Sequence, residues 1–385
     1  MNVNRWFGCA ALACAGMLAA CAQTHSSAGA GEAGARESTV AQKTQSDRQL
    51  VGARLYELAF SKRRQSVYVV SAGGENLASE PSRVLRLNPA DLSVQDEIPL
   101  QRRGFGAALD DEADRLYVGH ALDGSVTVVD LKKNQPIGII QLMQPIRHDG
   151  DRAIYPHMLR ELVVDKKRQR LYAPGLAAQG SVLYVADTRS LSVSQVIPGF
   201  GAGAAGIVLD EEQDVLYVSN LQGQLFALNA ATLKIERQWE VKADQLLNLA
   251  LDRSKNRLVA TDLGSERLDT ARREKAGLVD YKKRGEGHRA VVIDTRNGAQ
   301  VASIETGKSP IAPLVDERRD RVYVTNRDSG TVTVLDRRNY SVLRTVSLPP
   351  HPNSLALDSD TGTVFVSIKD PSRTAQESVG KILFE

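Results

Sequence analysis

The chain has 385 residues, 42% of them hydrophobic and 5% aromatic, enough apolar content for a large buried core. Its formal charge of +3 is too small to single out nucleic acid, an anionic membrane surface or any other charged partner. All three cysteines, Cys9, Cys14 and Cys21, lie at the front, which excludes a disulfide framework, a cysteine nucleophile and a cysteine–metal site from the rest.

The opening residues read as a targeting signal rather than as part of a fold. Arg5 supplies a positive n-region, and residues 6–20 form an apolar run shorter than the ~18 residues a membrane span requires. Leu18-Ala19-Ala20-Cys21 is similar to the lipobox of bacterial lipoproteins, which implies cleavage before Cys21 and acylation of that residue. Residues 1–20 are therefore expected to be a lipoprotein signal peptide. Ala22 follows where an aspartate would retain the protein at the inner membrane, so the expected location is the periplasm, anchored to the outer membrane through lipidated Cys21. Residues 21–47 are rich in Ala, Gly, Ser, Thr and Gln and read as a flexible tether.

From residue 48 to residue 385 a single unit recurs. Short apolar runs at 58–60, 108–110, 163–165, 208–210, 249–252, 314–316 and 355–358 each precede a pair of β-branched runs. The clearest pairs are RLYVGHALDGSVTVVD at 115–130, VLYVSNLQGQLFALN at 215–229 and RVYVTNRDSGTVTVLD at 321–336; looser copies occupy 67–88, 171–187, 258–294 and 364–385. A spacing of roughly 40–65 residues is that of propeller blades. The expected fold is all-β: a seven-bladed β-propeller of four-stranded blades, with the apolar run innermost and segments such as 136–142 and 341–348 outermost. Asn88, Asp130, Asp187, Asn229, Asp294 and Asp336 close the third strands, where a short polar side chain can set the next turn. The last unit runs out after three strands (354–358, 363–368, 380–385). An N-terminal strand, within 48–52 or 38–44, is expected beside 382–384 to close the ring.

Departures from the repeat fall at 71–82, 143–160, 174–180, 263–289 and 369–379. All are expected on one face, here called the top, which carries the loops between second and third strands and those joining successive blades. The segment 264–289 holds eight basic and five acidic residues; it reads as a solvated loop with a helical turn or as a net-positive movable lid. Candidate ligand-binding residues at the channel mouth are Arg103, Phe105, Arg160, Asn353 and His351 at entrances to inner strands, and Asn220, Asp262, Arg327 and Lys369 at ends of second strands. Glu161, Asn248 and Asn326 occupy similar positions. His120, His148, His157, His288 and His351 all fall on top-face segments, but without HxH or HExxH spacing, so no metal or other cofactor is expected. The glycine-rich 199–206 lacks the following helix that a phosphate loop needs. No catalytic order of residues and no paired carboxylates in a shared context stand out, so no catalytic residue is assigned.

Tyr323-Val324-Thr325-Asn326 matches the signature of YVTN-repeat propellers, and Tyr217-Val218-Ser219-Asn220 nearly repeats it. Tyr56-Glu57-Leu58-Ala59, Arg160-Glu161-Leu162-Val163, residues 292–298 and residues 351–357 make the chain resemble, over about 50–385, the YncE-like periplasmic propellers of Gram-negative bacteria. That resemblance implies a non-enzymatic ring, with a suggestion of single-stranded DNA contact at the channel face; the ring is expected to be monomeric. The expected function is thus a non-catalytic binding or scaffold propeller whose top face takes a protein, glycan or peptide. The first alternative is single-stranded DNA binding through Arg103, Arg160, Arg327 and Lys369, with Phe105 or Tyr155 as stacking platforms. The second is a lactonase-like or metal-dependent hydrolase.

Overall fold

The computed structural model describes residues 44–150, 152–372 and 376–384; the expected signal peptide, Cys21 and most of the expected tether lie outside the described residues. The chain forms a seven-bladed propeller of antiparallel sheets, each led by one of the expected apolar runs. The inner strands of blades 1 to 7 are Leu55–Ser61, Ala107–Asp110, Val163–Asp165, Ala204–Asp210, Leu246–Asp252, Pro310–Asp316 and His351–Asp358. Blade 3 gains the short strand Met158–Leu159 beside its second strand.

The tyrosines of the repeat explain why blades stack. Tyr68 of blade 1 packs with Leu116, Val118 and Val129 of blade 2. Tyr117 meets Leu171 and Ala173 of blade 3, and Tyr172 meets Leu216 and Val218 of blade 4. Tyr217, Tyr323 and Phe365 do the same for blades 5, 7 and 1. Each such ring is essentially fully buried and contributes roughly 1.5–3 kcal/mol. The side chains closing third strands behave as their position dictates: Asp130, Asp187 and Asn229 each accept two backbone N–H groups of the following turn at 2.8–3.0 Å.

The ring is closed as expected, with one change of boundary. Thr44–Gly52 pairs antiparallel with Glu377–Phe384, placing Thr44 opposite Phe384 and Arg48 opposite Gly380. Residues 44–47, assigned by composition to the tether, belong to this strand. A second fastening lies at the same seam. Glu377 accepts the backbone N–H of Leu55 (2.5 Å), the Lys369 ammonium (3.2 Å) and the N–H of Asp370 (3.0 Å). Lys369 also donates to the Leu55 carbonyl at 2.6 Å.

On the bottom face, the turns after the inner strands carry charges that pair from blade to blade. Lys62 meets Asp360 of blade 7 (2.6 Å), Arg64 meets Asp114 of blade 2 (2.7 Å), and Lys166 meets Glu112 (2.8 Å). Arg168 and Lys167 reach Asp214 of blade 4 (2.7 and 3.0 Å), and Arg253 approaches Asp210 (3.9 Å). Glu317 accepts the Arg253 backbone N–H (2.9 Å), and Arg318 meets Asp360 (2.9 Å). Such surface pairs are worth about 0–1 kcal/mol each.

The top face carries the departures. Residues 143–160 form a small hairpin, Arg147–Asp149 against Arg152–Ile154. The long insertion has the expected helical turn and an exposed outer side, but its inner side is anchored. It forms a helix, Glu266–Lys275, capped by the Ser265 hydroxyl, and it is fastened by buried charge. The Arg272 guanidinium, 3% exposed, donates to Asp244 (2.7 and 3.2 Å), to the Leu221 carbonyl (2.6 Å) and to Asp269. Tyr281 lies under it at 4.4 Å and donates to Asp244 at 3.0 Å. Gln245 bridges Ser265 and Asp269, and Lys283 completes the cluster from outside.

Candidate functional site

The channel mouth is built by a defect repeated in every blade. In blades 1, 4, 5, 6 and 7 the inner strand loses register with its neighbour between Leu55/Leu58, Ala204/Ile207, Leu246/Leu249, Pro310/Pro313 and Pro352/Leu355. Blade 2 breaks at the same place, where Phe105 and Gly106 bond separately to Gly119 (2.8 and 2.9 Å). Blade 3 breaks between Met158–Leu159 and Val163–Asp165. Bulges re-aim side chains out of the strand alternation. Here they present two residues per blade: Tyr56–Glu57, Phe105–Gly106, Arg160–Glu161, Ala205–Gly206, Leu247–Asn248, Ile311–Ala312 and Asn353–Ser354.

These pairs divide the mouth into two halves. On blades 4 to 6, Ala205, Leu247, Ile311 and Ala312 form an apolar cluster with Leu221 and with Leu263 and Leu268 of the insertion, which covers that side. On blades 7, 1, 2 and 3 the mouth is aromatic and charged. Tyr56 and Phe105 lie with ring centroids 4.2 Å apart, and the Glu57 N–H donates to the Phe105 carbonyl at 3.2 Å. Gly106 is required beside them, because a Cβ there would sit 2.3 Å from the Arg160 carbonyl oxygen.

Two carboxylates far apart in sequence meet in this half, against the expectation that none would pair. Glu57 accepts the Ser354 hydroxyl at 2.5 Å. Glu161 accepts the Asn248 amide and, at 3.4 Å, the N–H of Ile207. Arg160 donates to Asn248 at 2.9 Å and lies 5.9 Å from the Phe105 ring. Burial pushes Glu57 up from the usual carboxylate range; the Ser354 hydrogen bond and Arg160 oppose that. Burial, with the Glu57 charge beside it, pushes Glu161 up to about 8.

Of the residues expected at the mouth, Phe105, Arg160 and Asn353 stand on these bulges. Arg160 is buried rather than solvated, and Asn353 is buried too. Arg103 spends its guanidinium on the carbonyls of Ala72, Gly74 and Glu75 at 2.6–3.1 Å. Lys369, buried, lies 3.8 Å from the Tyr56 ring centroid and is held in the closure seam. Arg327 and His351 are neighbours at the blade 6–7 boundary; burial, then the Arg327 charge, holds His351 below the usual imidazole value. Asn220 and Asp262 lie elsewhere. The Asn220 amide bonds Phe200 and Gln224 (3.0 and 2.7 Å). Asp262 sits under the insertion, accepting the Gly287 N–H, with burial pushing it up to about 6. His120 is fully buried between the Arg103 carbonyl and Thr127, and burial lowers it to about 4. Among the described residues no group of three or more His, Cys, Asp or Glu is disposed to hold a metal. Sequence reasoning passed over Glu57, Ser354 and Glu377. The first two could have been found by counting back four positions from the residue that ends each inner run.

The geometry defines a class: a seven-bladed propeller with a half-covered, half-polar channel mouth. Within it, the chain belongs to the YncE family. It is 30% identical over 335 residues to the YncE proteins of Salmonella typhi and Escherichia coli K12, covering 86% of this chain and 87% of each relative. No protein-family profile matches. Among solved structures, a chain of Kuenenia stuttgartiensis hydrazine synthase superposes with a TM-score of 0.67 over 91% of this chain and 99% of its own, at 14% identity, a likeness of fold alone.

Proposed function

We propose that the chain is a non-catalytic binding propeller, lipid-tethered through Cys21 to the outer membrane on its periplasmic side, that takes its partner at the top-face channel mouth. The observation that carries this reading is the bulge shared by all blades, which gathers aromatic, charged and amide side chains at one opening while the insertion shields the other half. The cations expected to hold a nucleic acid are largely engaged inside the protein: Arg103 by carbonyls, Lys369 by Glu377, Arg160 by Asn248. That favours a protein, glycan or peptide over single-stranded DNA. A second reading, hydrolase, is favoured by the Glu57–Glu161 pair, since carboxylates of unequal basicity can serve as acid and base.

The test is capture from periplasm on the purified protein, compared with the Tyr56→Ala/Glu57→Gln variant at the mouth. A partner retained by wild type and lost by the variant is expected. Equal capture by both proteins would remove the mouth from the reading, and affinity falling steeply with salt would favour nucleic acid. Hydrolysis of lactone or ester substrates that Glu161→Gln abolishes would favour the enzyme. For the anchor, Cys21→Ser is expected to leave an unprocessed chain that no longer partitions into detergent; unchanged partitioning would refute it.

A further inference from the structure

We infer that the polar half of the channel mouth takes a ligand bearing a primary amine, with Glu57, Glu161 and Asn353 as its acceptors; this rests on the binding reading above. Three observations converge. The first is charge. Glu57 and Glu161 face one guanidinium, Arg160, while Lys369 is committed to Glu377 and Arg103 to backbone carbonyls. With both carboxylates ionised, the cluster is one positive charge short.

The second is unused hydrogen-bonding capacity. Asn353, 7% exposed and on the same bulge as Ser354, has a side-chain amide with no hydrogen-bond partner among the described residues. Glu57 uses Oε2 for Ser354, and its Oε1 likewise has none there. Both groups thus keep hydrogen-bonding capacity that a ligand entering the mouth can take up. The third is the wall. The Tyr56 ring already holds one ammonium, Lys369, at 3.8 Å, and Phe105 stacks beside it. A phosphate or carboxylate ligand would meet two carboxylates, and a neutral polyol would leave the charge uncorrected. An alkylammonium corrects it.

Without such a ligand the missing charge is supplied by a proton. Glu161 faces Glu57 of blade 1, Arg160 of its own blade, and Asn248 and the Ile207 N–H of blades 5 and 4; burial and Glu57 push it up to about 8. Amine binding at neutral pH should therefore release about one proton.

The experiment is titration calorimetry of the detergent-solubilised mature protein with 1,5-diaminopentane, 1,5-pentanediol and calcium chloride, in two buffers of different ionisation enthalpy. Expected are diamine binding, release of about one proton, no response to the diol, and affinity at least tenfold weaker in Glu57→Gln/Glu161→Gln. That pair is near-isosteric, and its melting curve is recorded first; Asn353→Ala, expected to bind several-fold more weakly, serves if the pair does not fold. No diamine binding, equal binding of the diol, calcium in place of the diamine, or unchanged affinity in a folded variant would each overturn the inference. Periplasmic capture distinguishes the two failures: a partner still lost on mutating the mouth, with no diamine binding, leaves the binding reading standing and removes only the amine.

Discussion

Replacing Glu377 by alanine should unlock the ring at its seam. Glu377 and Lys369 are 2% and 5% exposed, and the carboxylate also accepts the N–H groups of Leu55 and Asp370. The variant leaves a buried ammonium without its carboxylate, which costs about 3–5 kcal/mol. The buried Leu55 N–H loses its acceptor as well, at about 1–3 kcal/mol. The two costs overlap, because water entering to solvate one group reaches the other, so we expect about 4–6 kcal/mol in all. Native domains have about 5–15 kcal/mol in total, so the urea midpoint, followed by far-UV circular dichroism, should fall by a large fraction. Lys369→Met/Glu377→Leu removes both charges and should come within about 2 kcal/mol of wild type. A Glu377→Ala midpoint within about 1 kcal/mol of wild type would show that the seam does not depend on this pair.

Three further outcomes follow from the same physics. Because the carboxyl of Glu161 is raised in the fold to about 8 from 4.5, its stabilising contribution is complete below 4.5 and is lost as pH rises through about 8. Glu161→Gln should flatten that decline and melt higher than wild type at pH 8.5; an unchanged pH profile would refute the raised carboxyl. Arg272→Ala leaves Asp244 and Asp269 without their buried partner, so limited proteolysis should cut within 264–289 faster than in wild type while the blades stay intact; equal cutting rates would mean the helix is held by its leucines alone. Deleting Thr44–Gly52 exposes Glu377–Phe384 as an unpaired edge, and the shortened ring should self-associate in sedimentation or light scattering; a stable monomer would argue against the closure's importance.

The blades were legible because their chemistry is local and repeated. A tyrosine on the second strand of five blades (Val259 and Phe365 stand there in blades 5 and 7) and an aspartate ending the inner run of six (Ser61 in blade 1) recur at fixed offsets, and both do in the fold what their positions imply. The site was less legible, for two physical reasons. A bulge shifts register without changing which residue types follow one another, so nothing in Tyr56-Glu57 or Asn353-Ser354 announces that both residues leave the ladder. Partners brought together by a ring are also distant in sequence: Glu57 finds Ser354, and Glu161 finds Asn248 across blade 4. Charge misled in the other direction. Arg160, Lys369 and Arg272 read as solvated, because buried cations need partners that only the fold supplies.

The belt of charged turns on the bottom face sets a problem of parity. Opposite signs can alternate without exception only around a ring with an even number of members, and this ring has seven. Blades 1, 3 and 5 present lysine and arginine, while blades 2, 4 and 7 present aspartate and glutamate, which leaves blade 6 between a positive and a negative neighbour. Its turn is the one that carries both signs, Glu317 toward Arg253 of blade 5 and Arg318 toward Asp360 of blade 7. Exchanging those two residues keeps composition and net charge and sets like charges against each other at both seams, so the order Glu-Arg in that one turn counts for more than either residue alone. A ring that lost or gained one blade by duplication would no longer need a two-signed turn, and keeping it would create the mismatch that it now resolves.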